Sequence, residues 1–156
     1  MILGIIPARL NSKRLPNKPL QLIDGLPVLV HVLKRALMSK KIDKVIVCAD
    51  DAKVMDLMKK YNQEVYMTSK NIRNGTDRIS IFLKKNIKKF KNLQLVVDIQ
   101  CDEVFLNPNY LDRVIDFHLK KLDKYDVIVP HTLTEESNNK NYVKIVSNKY
   151  NKIMYM

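Results

Sequence analysis

The sequence predicts an α/β domain in which a mainly parallel sheet carries helices on both faces. Two observations carry that expectation. Short apolar runs alternate with longer segments of helical periodicity, and the runs are apolar at consecutive positions, as in strands covered on both sides. An alternating order of this kind gives parallel strands joined by crossover helices, with ligands at the carboxyl ends of the strands, near the point where strand order reverses. Residues that directly follow a strand are therefore the ones to search for chemistry.

Residues 2–6 (ILGII) form the first run, ended by Pro7. Val28, Val32, Leu33, Ala36 and Leu37 fall on one stripe and predict a helix over 27–39, with Pro27 at a favourable first position. Residues 44–49 (KVIVCA) read as the next strand, and Val54, Met55, Leu57 and Met58 stripe a helix over 51–61. Residues 63–67 (QEVYM) are shorter and edge-like. Ile79, Phe82, Leu83, Ile87 and Phe90 recur at helical spacing before a strand at 94–99 (QLVVDI). Asn107-Pro108 is a cap followed by a first-turn proline, opening a helix over 108–122 through Leu111, Val114, Ile115 and Leu119. Residues 126–130 (DVIVP) and 150–156 read as further strands. With no internal repeat, low-complexity linker or second domain, residues 1–156 read as one domain.

Composition agrees. The 156 residues are 46% hydrophobic and 28% charged, enough for one sizeable core. The start, MILGIIPARL, lacks the pattern of a secretory leader, and no apolar run reaches the roughly 20 residues of a membrane span, so a cytoplasmic location without a membrane partner is expected. Cys48 and Cys101 lie far apart in apolar stretches and read as reduced core thiols. His31, His118 and His131 have no clustered partner and read as structural, although His131 follows a strand pattern.

The net charge of +12 is unevenly placed: residues 1–98 hold 20 Lys/Arg against 8 Asp/Glu, whereas residues 99–156 hold 8 of each. A basic half suits a polyanion, a triphosphate or a nucleic acid, or is simply solvated lysine. The run Lys84 to Lys91 fits the last reading, because its lysines fall on the outer face of an amphipathic helix. A single-strand nucleic-acid module would interleave aromatics with its basic residues, and the basic loop at 7–20 contains none. No nucleic-acid partner is expected.

Three segments follow strands and carry candidate chemistry. Residues 7–20 (PARLNSKRLPNKPL) place Arg9, Ser12, Lys13, Arg14 and Lys18 in a loop stiffened by Pro7, Pro16 and Pro19. Arginine forks bind phosphate oxygens in pairs and lysine acts as a movable point charge, so the loop suits a triphosphate; a solvated basic loop is the alternative. It is not a glycine-rich Walker loop. Residues 74–78 (NGTDR) form a turn and helix start, with Gly75 permitting a positive φ and Thr76 or Asp77 as cap. Gln100-Cys101-Asp102-Glu103 puts two adjacent carboxylates at the end of a buried strand, where they suit Mg²⁺ shared with substrate phosphates, or serve as a polar strand end.

Together these segments resemble the CMP-Kdo synthetase family. Ile6-Pro7-Ala8-Arg9 followed by Ser12-Lys13-Arg14-Leu15-Pro16-Asn17-Lys18-Pro19-Leu20 is similar to that family's I-P-A-R and S-x-R-L-P-x-K-P-L signature. Asn74 to Arg78 resembles S-G-T-[DE]-R, with Asn74 for serine and Ile72 where histidine is common. Gln100 to Val104 resembles Q-G-D-E-P, with Cys101 for glycine and Val104 for proline, and Asn141 to Val146 resembles the N-x-V-K-V-V strand.

The resemblance implies a Rossmann-like nucleotidyltransferase fold and transfer of CMP from CTP to an acidic 2-keto sugar, a step of lipopolysaccharide assembly. It implies nucleotide contacts by Ala8, Arg9, Ser12, Arg14, Lys18, Asn74, Gly75, Thr76 and Arg78, a sugar contact by Gln100, and Mg²⁺ on Asp102. Arg9, Arg14, Lys18 and Asp102 would carry the catalytic charge. Family members run on past the point where this chain stops, so the resemblance also implies a missing C-terminal part that supplies most of the sugar pocket and the interface of a homodimer. A nucleotide-holding remnant, or one chain of a split enzyme, fits the same residues. The Cys101 side chain, where the family has glycine, is expected to crowd the nucleotide or sugar.

Overall fold

The computed structural model describes residues 1–10, 15–133 and 142–156. They fall into two compact units, 1–120 and 121–156.

In the first unit, β1 (Ile2–Ala8), β4 (Lys44–Ala49), β5 (Val65–Met67) and β6 (Leu95–Asp98) form one parallel sheet in the order β5-β4-β1-β6. The chain steps outward from β1 to β4 and β5, then returns to the other side of β1 for β6. Strand order therefore reverses between β1 and β6, and the ends of those two strands flank the switch point.

Alternate residues of β1 serve different helices, as the two-residue period of a strand requires. Ile2, Ile6 and Ala8 join a core with α1 (Val28–Leu37), α2 (Ala52–Lys60) and α4 (Pro108–Leu119). Leu3 and Ile5 face the other way, onto Ile79 and Phe82 of α3 (Gly75–Asn86), with Phe90 beside them. Each such aliphatic side chain contributes about 1.5–3 kcal/mol by leaving water, which is why consecutive apolar positions give a strand covered on both faces. The expected helices at 27–39, 51–61, 79–90 and 108–122 are all present, the third starting earlier, at Gly75, and giving way to a 3-10 turn at Ile87–Lys89.

Pro7 does not end β1, which runs on to Ala8 with Pro7 opposite Cys48. Ile5 turns its carbonyl toward β6, accepting from Ile99 at 2.9 Å. Pro7, two residues on, turns the same way. The β1–β6 register reaches only Ile5, so the amide hydrogen that proline lacks has no partner strand to miss it. A small hairpin, β2 (Leu22–Ile23) and β3 (Leu26–Pro27), was not expected. Asp24 and Gly25 at its tip have φ of 47° and 77°, the left-handed pair that a tight two-residue hairpin needs.

In the second unit no strand forms at 126–130, where Val127 is 74% exposed. A short apolar run becomes a strand only where a neighbour takes its backbone groups. The terminal strand expectation resolves into β8 (Ile153–Tyr155), antiparallel to β7 (Val146–Ser147). Among the described residues, no helix is long and apolar enough to cross a membrane.

Candidate active site

The sheet brings three polar segments to its carboxyl edge. Arg9 and Leu10 leave β1, Asp50 follows β4, and Gln100 to Glu103 follow β6. The turn at 74–78 sits over the end of β1. A Cβ added to Gly75 would stand 3.0 Å from Pro7 Cγ and 3.9 Å from Gln100 Nε2. Close approach is thus what Gly75 provides there. A positive φ, the expected reason, is found instead at Gly25. The cap of α3 is Asn74, not Thr76 or Asp77: its Oδ1 accepts from Asp77 N at 2.7 Å and its Nδ2 donates to Asp77 Oδ2 at 2.9 Å.

Lys18 and Asp102, 84 positions apart, form an ion pair across the switch point. Their side chains are 32% and 43% exposed, open to exchange partners with a ligand. Arg9 Nη1 donates to Arg73 O at 2.9 Å, linking the basic loop to the turn before α3. Thr76 Oγ1 donates to Asp98 Oδ2 at 3.2 Å, and Gln100 Nε2 to Asp98 Oδ1 at 2.8 Å. Asp98 thus orients one residue expected at the nucleotide and another expected at the sugar. Burial raises the Asp98 carboxyl above the ordinary carboxylate range, while the bonds from Thr76 and Gln100 oppose that rise.

Arg78 is placed differently from the other basic residues. It is 1% exposed, and Nη2 pairs with Asp50 Oδ2 at 3.3 Å, Asp50 itself being 4% exposed. Its Nη1 donates to Thr68 Oγ1 and to Ser69 O. Burial pulls its pKa down, and Asp50 acts against that. The guanidinium expected at the nucleotide spends these hydrogen bonds inside the protein. Ala8 is buried at the strand end, and Ser12, Arg14 and Asn141 lie outside the described residues.

The sequence reading did not single out Asp50 or Asp98. Each had a signal: Asp50 is a carboxylate immediately after a buried strand, and Asp98 is a charge inside an apolar run. The Cys101 side chain packs against the core shared with α1, α2 and α4, and burial, the main cause, pushes its thiol up to about 11. His31 Nε2 meets Ile23 O at 2.8 Å and His118 is buried on α4, both in structural settings.

No cluster of three or more His, Cys, Asp or Glu able to hold a metal occurs among the described residues. The remaining fit is a cation held by Asp102 together with ligand phosphates, the arrangement Mg²⁺ favours. The Lys18 ammonium, seated on that carboxylate, shows that the position accepts a positive charge. A cleft of about 490 Å³ between α3 and β6 borders the site through Thr76 and Asp98 but does not reach Lys18 or Asp102.

A parallel sheet whose switch point carries cations on one strand exit and a carboxylate on the next defines an α/β fold of the nucleotidyltransferase type. Residues 3–156 match the cytidylyltransferase family, and the chain belongs to it. It is 33% identical to a 3-deoxy-manno-octulosonate cytidylyltransferase of Thermodesulfovibrio yellowstonii, over 97% of this chain and 61% of that protein. A counterpart from Haemophilus influenzae is 36% identical over 97% of this chain and 59% of its own length. A solved CMP:2-keto-3-deoxy-manno-octonic acid synthetase in complex with CTP superposes with a TM-score of 0.81 at 28% identity, covering 99% of this chain and 62% of that one. The chain thus spans about three fifths of the length of these relatives.

Proposed function

We propose that this chain is the CTP-binding part of a cytidylyltransferase that activates an acidic 2-keto sugar of the Kdo type, releasing pyrophosphate. The observation that carries this reading is the Lys18–Asp102 pair, which brings a cation suited to phosphate and a carboxylate suited to a divalent metal together at the switch point. The kinship with cytidylyltransferases supports CTP as the nucleotide and Kdo as the acceptor.

In the proposed reaction the hydroxyl oxygen on the anomeric carbon of the sugar attacks the α-phosphorus of CTP. The bond to the β-phosphate oxygen breaks, pyrophosphate leaves, and the hydroxyl proton passes to solvent. Such a transfer depends on positioning and on neutralising charge. Lys18 and Arg9 hold the triphosphate oxygens and offset the charge that builds on the leaving pyrophosphate; Arg14 is assigned the same task. Asp98 keeps the Gln100 amide turned so that its carbonyl is free to accept from a sugar hydroxyl. When bound at Asp102, Mg²⁺ would supply Lewis-acid polarisation of the phosphate.

Calorimetry of this chain with CTP, with and without Mg²⁺, against ATP and against Arg9→Ala, tests the proposal. Binding that prefers CTP, needs Mg²⁺ and weakens in the variant supports it. A folded chain that binds no CTP removes it. Pyrophosphate release on adding Kdo then separates a catalytic chain from one that only holds nucleotide.

A further inference from the structure

Leu10 is the residue at which the chain leaves β1 for the basic loop, and both its backbone groups are tied. Its carbonyl accepts from Asn17 N at 3.1 Å, which closes the neck of the loop. Its amide donates to Asp50 Oδ1 at 3.1 Å. The other oxygen of the same carboxylate holds Arg78, at the first turn of α3, and Arg78 in turn reaches Thr68 and Ser69 beyond β5. One buried carboxylate therefore joins the exits of β1 and β4 to the start of α3 and, through Arg78, to the exit of β5. The bond from Arg9 to Arg73 makes a second link between the same loop and the same turn.

We infer that Asp50 is the positioning residue of the triphosphate site: it fixes the neck of the basic loop against the turn at 74–78, so that Arg9 and Lys18 meet the phosphates in one preset arrangement. Two features separate this role from ordinary core packing. A buried carboxylate accepting a backbone N–H from another segment fixes direction as well as distance, which apolar contact does not. The segment it fixes is also the one with cations to place, and misplacing such groups by about 1 Å is enough to lose up to about 100-fold in a positioned reaction. The inference rests on the nucleotide reading above and deepens it.

Asp50→Leu and the double variant Asp50→Leu/Arg78→Met test it, with thermal unfolding, amide hydrogen exchange and calorimetry with inorganic tripolyphosphate and with cytidine. Asp50→Leu leaves a buried guanidinium without its counter-charge and is expected to lower the melting temperature. The double variant removes that charge and recovers much of the loss. Neither variant offers an acceptor to the Leu10 amide. Both are therefore expected to exchange the Leu10 amide faster than the wild type and to bind tripolyphosphate about tenfold more weakly or worse, with cytidine affected less. If the double variant regains affinity together with stability, or Asp50→Leu binds tripolyphosphate like the wild type while folded, the inference fails and the nucleotide reading stands. If the wild type binds neither tripolyphosphate nor CTP, both fall.

Discussion

The two ion pairs at the carboxyl edge of the sheet differ in almost everything except their chemistry. Asp50–Arg78, on the side of β4 and α3, is sealed: both side chains are nearly fully buried, and Asp50 Oδ1 and Arg78 Nη1 bond to backbone or hydroxyl groups. Lys18–Asp102, on the side of β1 and β6, stands open to water. A buried pair cannot exchange partners without exposing an uncompensated charge, whereas an exposed pair gives up little when one member turns to a ligand. Burial thus separates the groups that build the site from the groups free to serve it.

The largest expected effect lies on the sealed side. Arg78→Ala strands the Asp50 charge and should cost about 3–5 kcal/mol of stability in urea unfolding; a loss under 1 kcal/mol would break the comparison.

Cys48 tests the same region through pH. It faces α3 in the core, and burial, the main cause, pushes its thiol up to about 12 from 9.0, with Arg78 pulling the other way. Because the folded state holds this proton more tightly than the unfolded state, its contribution is fully present below pH 9 and is lost as pH rises toward 12. Alkaline unfolding should therefore steepen over that window in the wild type and less in Cys48→Ala. Alkylation at neutral pH should miss Cys48 until the protein unfolds, since it is fully buried.

The smallest effect on stability belongs to the open side. Lys18→Met should shift unfolding by less than about 1 kcal/mol, while CTP binding weakens and loses part of its salt dependence. A large stability loss there would make Lys18 a structural residue and erase the contrast between the two pairs.

Much of this molecule was legible in local pattern. The strands at 2–6, 44–49, 63–67 and 94–99 follow from short apolar runs and the four helices from 3.6-residue spacing, because such local pattern decides which faces can be buried whatever lies opposite. The hairpin at Leu22 to Pro27 was overlooked although Asp24-Gly25 announces it. The strand expected at 126–130 failed for the opposite reason: apolar content supplies a face, and only a neighbour supplies hydrogen bonds.

The sequence by itself determined the order of elements, the basic loop after the first strand and the carboxylate pair at 102–103. It could not rank Asp102 against Asp50, which it did not bring forward. Asp50 and Asp102 each follow a buried strand, and each faces a cation, Arg78 or Lys18, that lies 28 or 84 positions away. Strand order decided the outcome. Placing β1 between β4 and β6 puts Asp50 under α3, shut from water, and leaves Asp102 at the open switch point. Solvent access then closes the first inside the scaffold and leaves the second within reach of a ligand, because the cost of an unpaired charge depends on the dielectric around it, a property of the assembled fold and of no residue alone.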